Sequence, residues 1–279
     1  MSVNFSDDAV LTPTTPVVYE KQPGVPKFEC FEYLPKTRDY VVLIPIINEG
    51  NRIHRELSRA KDHHISDHAD IVICDGGSTD GSTEESKLRH LCVNTLLVKR
   101  DTGKQGAQLR MGFRWALDRG YKGIITIDGN DKDSIENVPD FIEKLEEGFD
   151  FVQGSRFLPG GKAVNTPLSR LLAVKLIHAP IISLTAHQRF TDTTHAFRAY
   201  SSRYLLDERV QPFRDIFMTY ELLAYLSVRA VKIGMKACEI PVTRAYPDHG
   251  KVPTKISFFK GNSELLKILL KNAFGVYDP

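Results

Sequence analysis

The stretch YVVLIPIINEG, residues 40–50, decides how the rest of the chain is read. Its first seven residues are a continuous apolar run, short enough for a strand buried on both faces. It ends in Asn48 and Glu49, where a helical stretch begins near Asn51. The same unit then recurs. ADIVICD (69–75) runs into GGSTDGS, and Ser78 or Thr79 offers a helix cap. VNTLLVKR (93–100) precedes a helix over 104–120 that Gly120 closes. KGIITID (122–128) precedes a helix over 138–148, and DFVQGS (150–155) is a fifth strand. Strands alternating with helices over short connections predict an α/β domain with a mainly parallel sheet. Right-handed crossovers then bring the strand C-termini to one edge, where such sheets bind ligands. Glu49, Asp75, Asp128 and Arg156 each follow a predicted strand and meet there. Further on, helices are expected near 167–186 and 217–233, strands near 195–199 and 236–242, and an amphipathic helix near 262–272.

Outside this pattern, residues 1–38 carry five prolines before Lys36 and no sustained periodicity, so they read as an extended or partly disordered arm. The division expected is arm 1–38, a main α/β domain 39–243, and a basic loop with an amphipathic segment over 244–279. The 279 residues hold 37 basic and 35 acidic side chains, a net charge of +2. That balance argues against a nucleic-acid binder. The longest apolar stretch, LLAVKLIHAPIISLTA (171–186), is interrupted by Lys175, His178 and Pro180, so no conventional membrane span is expected. The N-terminus lacks the basic start and apolar run of a secretory signal. Four scattered cysteines without a C-x-x-C read as reduced, intracellular thiols. These features suit a cytoplasmic protein. His63, His64 and His68, spaced H-H-x-x-x-H, read as a solvated helix end rather than a zinc site.

Two loops carry candidate chemistry. In ITIDGNDKD (125–133) a strand ends in a carboxylate, a glycine and further oxygen-bearing side chains. Hard cations such as Mg²⁺ or Mn²⁺ take oxygen ligands and share them with substrate phosphates. Asp128 and Asn130 can supply one charged and one neutral oxygen, with Gly129 admitting a ligand close to the backbone. The other reading is a polar loop whose acids cap the next helix. In IVICDGGSTDGS (71–82) Asp75 can accept hydrogen bonds from a base or ribose, or simply close a tight turn.

These segments resemble glycosyltransferase family 2, and within it the dolichol- and polyprenyl-phosphate sugar synthases. The family's P-x-Y-N-E is matched by Pro45-Ile46-Ile47-Asn48-Glu49, and its D-D-G-S-T-D by Asp75-Gly76-Gly77-Ser78-Thr79-Asp80. Its D-x-D is matched by Asp128-Gly129-Asn130, G-S-R-[YF] by GSRFLPGG (154–161), P-L-S-R by 167–170, and D-x-T-S-G-F-R-x-Y by DTTHAFRAY (192–200). IPVTRAYPDHGKVPTKIS (240–257) is similar to its terminal basic loop. The matches are collinear over about 40–257. The resemblance implies a single glycosyltransferase A-type, Rossmann-like domain that uses a nucleotide sugar and a divalent metal and inverts the anomeric centre. It implies that Pro45, Ile47, Glu49, Ile73 and Asp75 hold the nucleoside and that Asp128 and Asn130 bind metal and diphosphate. Arg156 and Lys255 would face phosphate oxygens. Ile47 stands where the family has a base-stacking aromatic, and Asn130 where it has a second carboxylate.

The acceptor is either a polyprenyl phosphate or a glycan, in keeping with a role in cell-envelope glycan synthesis. A phosphate acceptor needs no base, and Arg198 is then the candidate for a phosphate. A hydroxyl acceptor needs one, and Asp131, Asp133 or His195 are candidates. The basic, apolar stretch 256–274 suggests a peripheral contact with an anionic membrane, or a helix packed on its own domain. A non-catalytic nucleotide-sugar-binding module is the alternative to an enzyme, motivated by Asn130 and Ile47.

Overall fold

The computed structural model describes residues 14–247 and 258–279. In chain order the elements are β1 (Val17–Tyr19), β2 (Phe28–Glu32), β3 (Tyr40–Ile46), α1 (Asn51–Asp62), β4 (Asp70–Asp75), α2 (Glu85–His90) and β5 (Thr95–Lys99). Then follow α3 (Gln105–Asp118), β6 (Gly123–Thr126), α4 (Val138–Glu146), β7 (Phe151–Ser155) and β8 (Lys162–Val164). A continuous helix comes next: α5 (Leu168–Ala173), a π turn (Val174–His178) and α6 (Ala179–Ala186). The rest are β9 (Arg198–Ser201), α7 (Ser202–Leu206), α8 (Glu221–Lys232), β10 (Ala237–Pro241), β11 (Thr243–Ala245) and α9 (Phe258–Ala273).

Among the described residues the main sheet has nine strands in the order β1-β2-β5-β4-β3-β6-β9-β7-β10. The run β5-β4-β3-β6 is parallel, as is β7 with β10, while β9 enters antiparallel between β6 and β7. The chain moves outward from β3 through β4 to β5 and then returns to place β6 on the other side of β3. That reversal opens a crevice at the C-terminal ends of β3 and β6. The loops holding Glu49 and Asp128 border it.

Strand β3 shows why the apolar runs carry no alternation. Val41 and Leu43 belong to one core with Met111, Trp115, Leu226 and Leu269; Val42, Ile44 and Ile46 belong to the other with Ile53, Leu57 and Phe141. Helices cover both faces, so every position is buried. Trp115 and Phe113 are core residues, in keeping with their helical spacing.

Three features differ from the reading above. Val17–Tyr19 and Phe28–Glu32, within the stretch read as an arm, pair antiparallel into the sheet, Phe28 facing Lys99 of β5. The helix expected after Asp75 begins only at Glu85, because Ser78 and Thr79 bond to a neighbouring loop instead of capping. The stretch 168–186, expected as helix but read as too interrupted for a span, is one continuous helix, and among the described residues it is the one long and apolar enough to cross a membrane. Pro180 does not break it: it lies in the first turn after the π turn, where backbone donors are already released from α-helical pairing.

Candidate functional site

A cavity of about 680 Å³ occupies the crevice, a size suited to a small-molecule ligand. Pro45, Ile47, Glu49, Arg52, Gly76 and Gln108 line one end. Asp128, Gly129, Asn130, Lys132 and Arg244 form its floor, and Leu223, Ala224, Leu265, Ile268 and Leu269 its apolar far wall.

The strand ends are tied together by side chains. Gln108, on the first turn of α3, donates to the Ile46 and Cys74 carbonyls at 2.6 and 2.8 Å, bridging β3 and β4. Asn48 takes a left-handed conformation, φ 50°. It accepts from the Thr79 amide at 2.8 Å, and its own amide donates to Ser78 Oγ at 2.8 Å. Ser82 Oγ accepts from the Glu49 and Gly50 amides at 3.1 and 2.7 Å. Glu49, so placed, pairs with Arg52 at 2.8 Å at the cavity edge.

On the floor, Gln105 Nε2 donates to Asp128 Oδ1 at 3.0 Å and Arg244 Nη2 to Asp128 Oδ2 at 3.3 Å. Arg244 also grips Asp133. Burial would push the Asp128 carboxyl up, but the Arg244 and Lys132 charges and the Gln105 bond hold it below the usual range. For Arg244, burial works against the charge, and Asp133 and Asp128 outweigh it. Strand β11 supplies Arg244, held by its parallel pairing with β8 and by a bridge from Arg244 to Asp133. Asn130 Oδ1 is buried and has no hydrogen-bond partner among the described residues. Among the described residues no group of three histidine, cysteine or acidic side chains gathers into a metal cluster. A pair of oxygens, one charged and one without a partner, fits a cation that draws its remaining ligands from a diphosphate and water.

Gly129 is required by packing. A Cβ there would lie 2.5 Å from Ile46 Cγ2 and 3.0 Å from Ile44 Cγ2. Beneath the loop, Glu56 of α1 is fully buried and accepts from the Asp131 amide at 2.8 Å. Burial pushes its carboxyl well above the usual carboxylate range, against the Asp131 amide bond that favours the charge.

The expected residues divide sharply. Pro45, Ile47, Glu49, Asp128, Gly129 and Asn130 line the cavity. Ile73 does not: it is fully buried in the core beneath the sheet. Asp75 spends its carboxylate on its own turn, accepting from the Gly77 and Ser78 amides and the Ser78 hydroxyl. Arg156 is buried in a two-pronged pair with Asp192, at 2.6 and 3.0 Å, and also donates to Thr194. Arg198 borders the cavity, but its guanidinium donates to the carbonyls of Thr193, His195 and Leu223 and to Ser227 Oγ. Lys255 lies outside the described residues. Of the three bases considered, Asp131 pairs with Arg55 and Arg59 on α1. Asp133 is held by Arg244, and His195 is buried between Asp133 and Asp192. Glu221 accepts from the Thr219 amide and hydroxyl at the start of α8.

Residues 41–208 match the model of the Glycosyl transferase family 2 domain. The chain belongs to glycosyl transferase family 2. It is 28% identical over 208 residues to an undecaprenyl-phosphate mannosyltransferase of Micrococcus luteus, covering 73% of this chain and 82% of that one. It is 28% identical over 213 residues to a polyprenol monophosphomannose synthase of Mycolicibacterium smegmatis, covering 74% and 77%. The fold is similar to a glucosyl-3-phosphoglycerate synthase of Mycobacterium tuberculosis, solved with Mn²⁺, uridine diphosphate and phosphoglyceric acid, at TM-score 0.59 and 14% identity over 84% of this chain and 78% of that one. The family membership makes this chain a glycosyltransferase with an A-type fold.

Lys132, Arg170, Gln105 and Gln108 line the cavity and were missed by sequence reasoning. Lys132 was legible as a cation four residues after Asp128. The two glutamines carried no signal, since their roles depend on where α3 meets the strand ends. Tyr246, beside the floor, draws three cations. Arg170 Nη1 donates to its hydroxyl at 2.9 Å, Lys132 Nζ lies 5.2 Å from its ring centroid and Arg244 Cζ 5.9 Å. Burial pushes the Tyr246 phenol up, but Arg244 and Arg170 bring it below its ordinary value.

Proposed function

We propose that this glycosyltransferase moves a sugar from a nucleotide sugar to a polyprenyl phosphate at a bilayer surface, with inversion at the anomeric carbon. One observation carries the reading: the cations Lys132, Arg170 and Arg244 gather around Tyr246 next to Asp128, and the cavity continues from them into an apolar wall. That sequence of surfaces suits an anion with an apolar tail. The named relatives are polyprenyl-phosphate sugar transferases, which supports the same acceptor.

The nucleoside would sit between Ile47, Pro45 and Glu49, with the diphosphate over Asp128 and Asn130. Those two residues would hold a divalent cation, Mg²⁺ or Mn²⁺; when bound, it supplies charge to the departing diphosphate. An acceptor phosphate oxygen attacks C1 as the C1–O bond to the diphosphate breaks, and the bonding pair stays on the leaving oxygen. The attacking oxygen is already an anion, so no proton need be removed. Arg244 and Lys132 meet the charge that develops. Arg156, locked to Asp192, and Arg198, locked to backbone carbonyls, act as positioning residues that hold the 192–198 segment against the cavity.

The helix 168–186 supports the bilayer contact. Leu172, Leu176 and Leu184 are exposed, as are Leu266 and Leu270 of the neighbouring α9 and Phe274 just after it, with Lys267 and Lys271 among them. Apolar side chains interleaved with lysines suit an anionic interface.

The test is release of nucleoside diphosphate from a panel of nucleotide sugars, with Mn²⁺ and either undecaprenyl phosphate in vesicles or soluble glycans. Turnover confined to the lipid phosphate supports the proposal, and turnover confined to glycans refutes it. His178 lines the cavity, and a phosphate acceptor asks no base of it, so His178→Ala should retain turnover. Asp128→Ala should lower turnover by at least about a hundredfold with the fold intact.

A further inference from the structure

We infer that Lys132 is a built-in cation of the donor site, holding the diphosphate by its own charge and sharing the work of the divalent metal; this rests on the donor site proposed above. The argument starts from the fixed charges of the cavity floor. Asp128 on the floor and the buried Asp133 behind it, held by Arg244, bring two negative charges, Arg244 and Lys132 bring two positive ones, and Asn130 brings none. The floor is neutral before any ligand arrives. A site that depended on a metal to attract its diphosphate would present an excess of carboxylate, and this one does not. Asp128, the acidic ligand of the pair, already has both oxygens engaged by Gln105 and Arg244.

Lys132 is placed for this work. It lines the same cavity as Asp128 and Asn130 and is buried. Its carbonyl accepts from the Ala245 amide at 2.8 Å, which pins the loop to β11. Its ammonium lies over the Tyr246 ring. A cation fixed in a poorly solvated wall attracts phosphate oxygens and repels a divalent ion by the same Coulomb term. During transfer it takes no proton and forms no bond; it faces the oxygens on which the C1–O bonding pair is left.

The opposite signs of those two effects make the inference testable. Binding of GDP and UDP is measured by calorimetry in EDTA and in Mn²⁺, and Mn²⁺ binding is measured alone, for the native chain, Lys132→Gln and Lys132→Arg. Circular dichroism confirms the fold of each variant. In EDTA the native chain should bind one of the two nucleotides, and Lys132→Gln should weaken that binding by about tenfold or more. The same variant should tighten Mn²⁺ alone by about threefold or more, as repulsion is removed. Lys132→Arg should keep the metal-free nucleotide binding. Unchanged nucleotide affinity in Lys132→Gln, or weaker Mn²⁺ binding, would overturn the inference by showing that Lys132 only shapes the loop. Failure of the native chain to bind either nucleotide in either condition would instead overturn the donor site itself.

Discussion

Replacing Asp192 by asparagine tests whether the buried charge cluster behind the cavity is a structural clamp. Asp192 is fully buried and accepts from Arg156 Nε at 2.6 Å and Nη2 at 3.0 Å, with His195 Nε2 at 3.3 Å. Asparagine keeps one oxygen but removes the charge, leaving a buried guanidinium partly unmatched. Breaking one side of a buried pair costs about 3–5 kcal/mol. At about 2–4 °C per kcal/mol for a chain of this size, the melting temperature should fall by roughly 6–20 °C. The pH dependence gives a second handle. Burial pushes the Asp192 carboxyl up, but His195 and Arg156 outweigh it and hold it far below its ordinary value. A carboxylate with a depressed folded pKa contributes stability that is complete above its unfolded value, near 4, and is lost as pH falls toward the folded value. The gap between native chain and variant should therefore be constant above about pH 5 and shrink in acid. Urea unfolding from pH 3 to 7 measures it. A gap under about 1 kcal/mol, or one that does not change with pH, would refute the reasoning. The double variant Asp192→Asn/Arg156→Met should recover part of the loss, since no unmatched charge remains.

Gly129→Ala should cost about 1–3 kcal/mol in urea unfolding and lower kcat, because the new methyl meets Ile46 and displaces the loop carrying Asp128 and Asn130. Glu56→Gln should stabilise the fold at neutral pH. An acid with a raised folded pKa contributes fully below its unfolded value and loses that contribution as pH rises. The gain, on the order of 1 kcal/mol, should therefore vanish near pH 4. Leu176→Lys with Leu184→Lys, at positions 69% and 76% exposed, should weaken sedimentation with vesicles by about tenfold or more. The melting temperature should move by less than about 2 °C.

The parallel sheet was legible because burial on both faces writes itself as unbroken apolar runs, and β3 to β7 fall within a residue or two of those runs. The crevice followed from strand order, and Glu49 and Asp128 were placed by it. What failed was the direction of individual polar side chains. Asp75, Arg156 and Arg198 stand at the correct sheet edge but turn to backbone groups or to a buried partner. Sequence position fixes where a Cα emerges; the unpaired carbonyls and carboxylates nearby fix where a guanidinium goes, and they come from segments distant in the chain. Arg244 illustrates the converse. It approaches Asp128 across 116 positions because β11 pairs with β8, a pairing of two three-residue strands that no periodicity announces. The helix 168–186 was expected, but Lys175, His178 and Pro180, which interrupt the run in sequence without interrupting the backbone, hid that it is long and apolar enough to cross a membrane.

The π turn at Val174–His178 sets a phase between the two halves of that helix. A π turn amounts to one residue more than an α-helical path needs, and each helical residue is worth about 100° of rotation. Deleting a single residue between 174 and 178 would keep the helix and its composition. Because that turn holds the surplus residue, its loss leaves a regular α-helix in which Leu184 and its neighbours keep their direction relative to Leu172, whereas the same deletion elsewhere in the helix turns them by about 100°. A deletion of that second kind would split the exposed leucine stripe between two directions and cost one half of the helix its present packing. The direction of the exposed face is in this sense a matter of residue count, and the π turn is the one place in this helix where a residue can be lost without changing it.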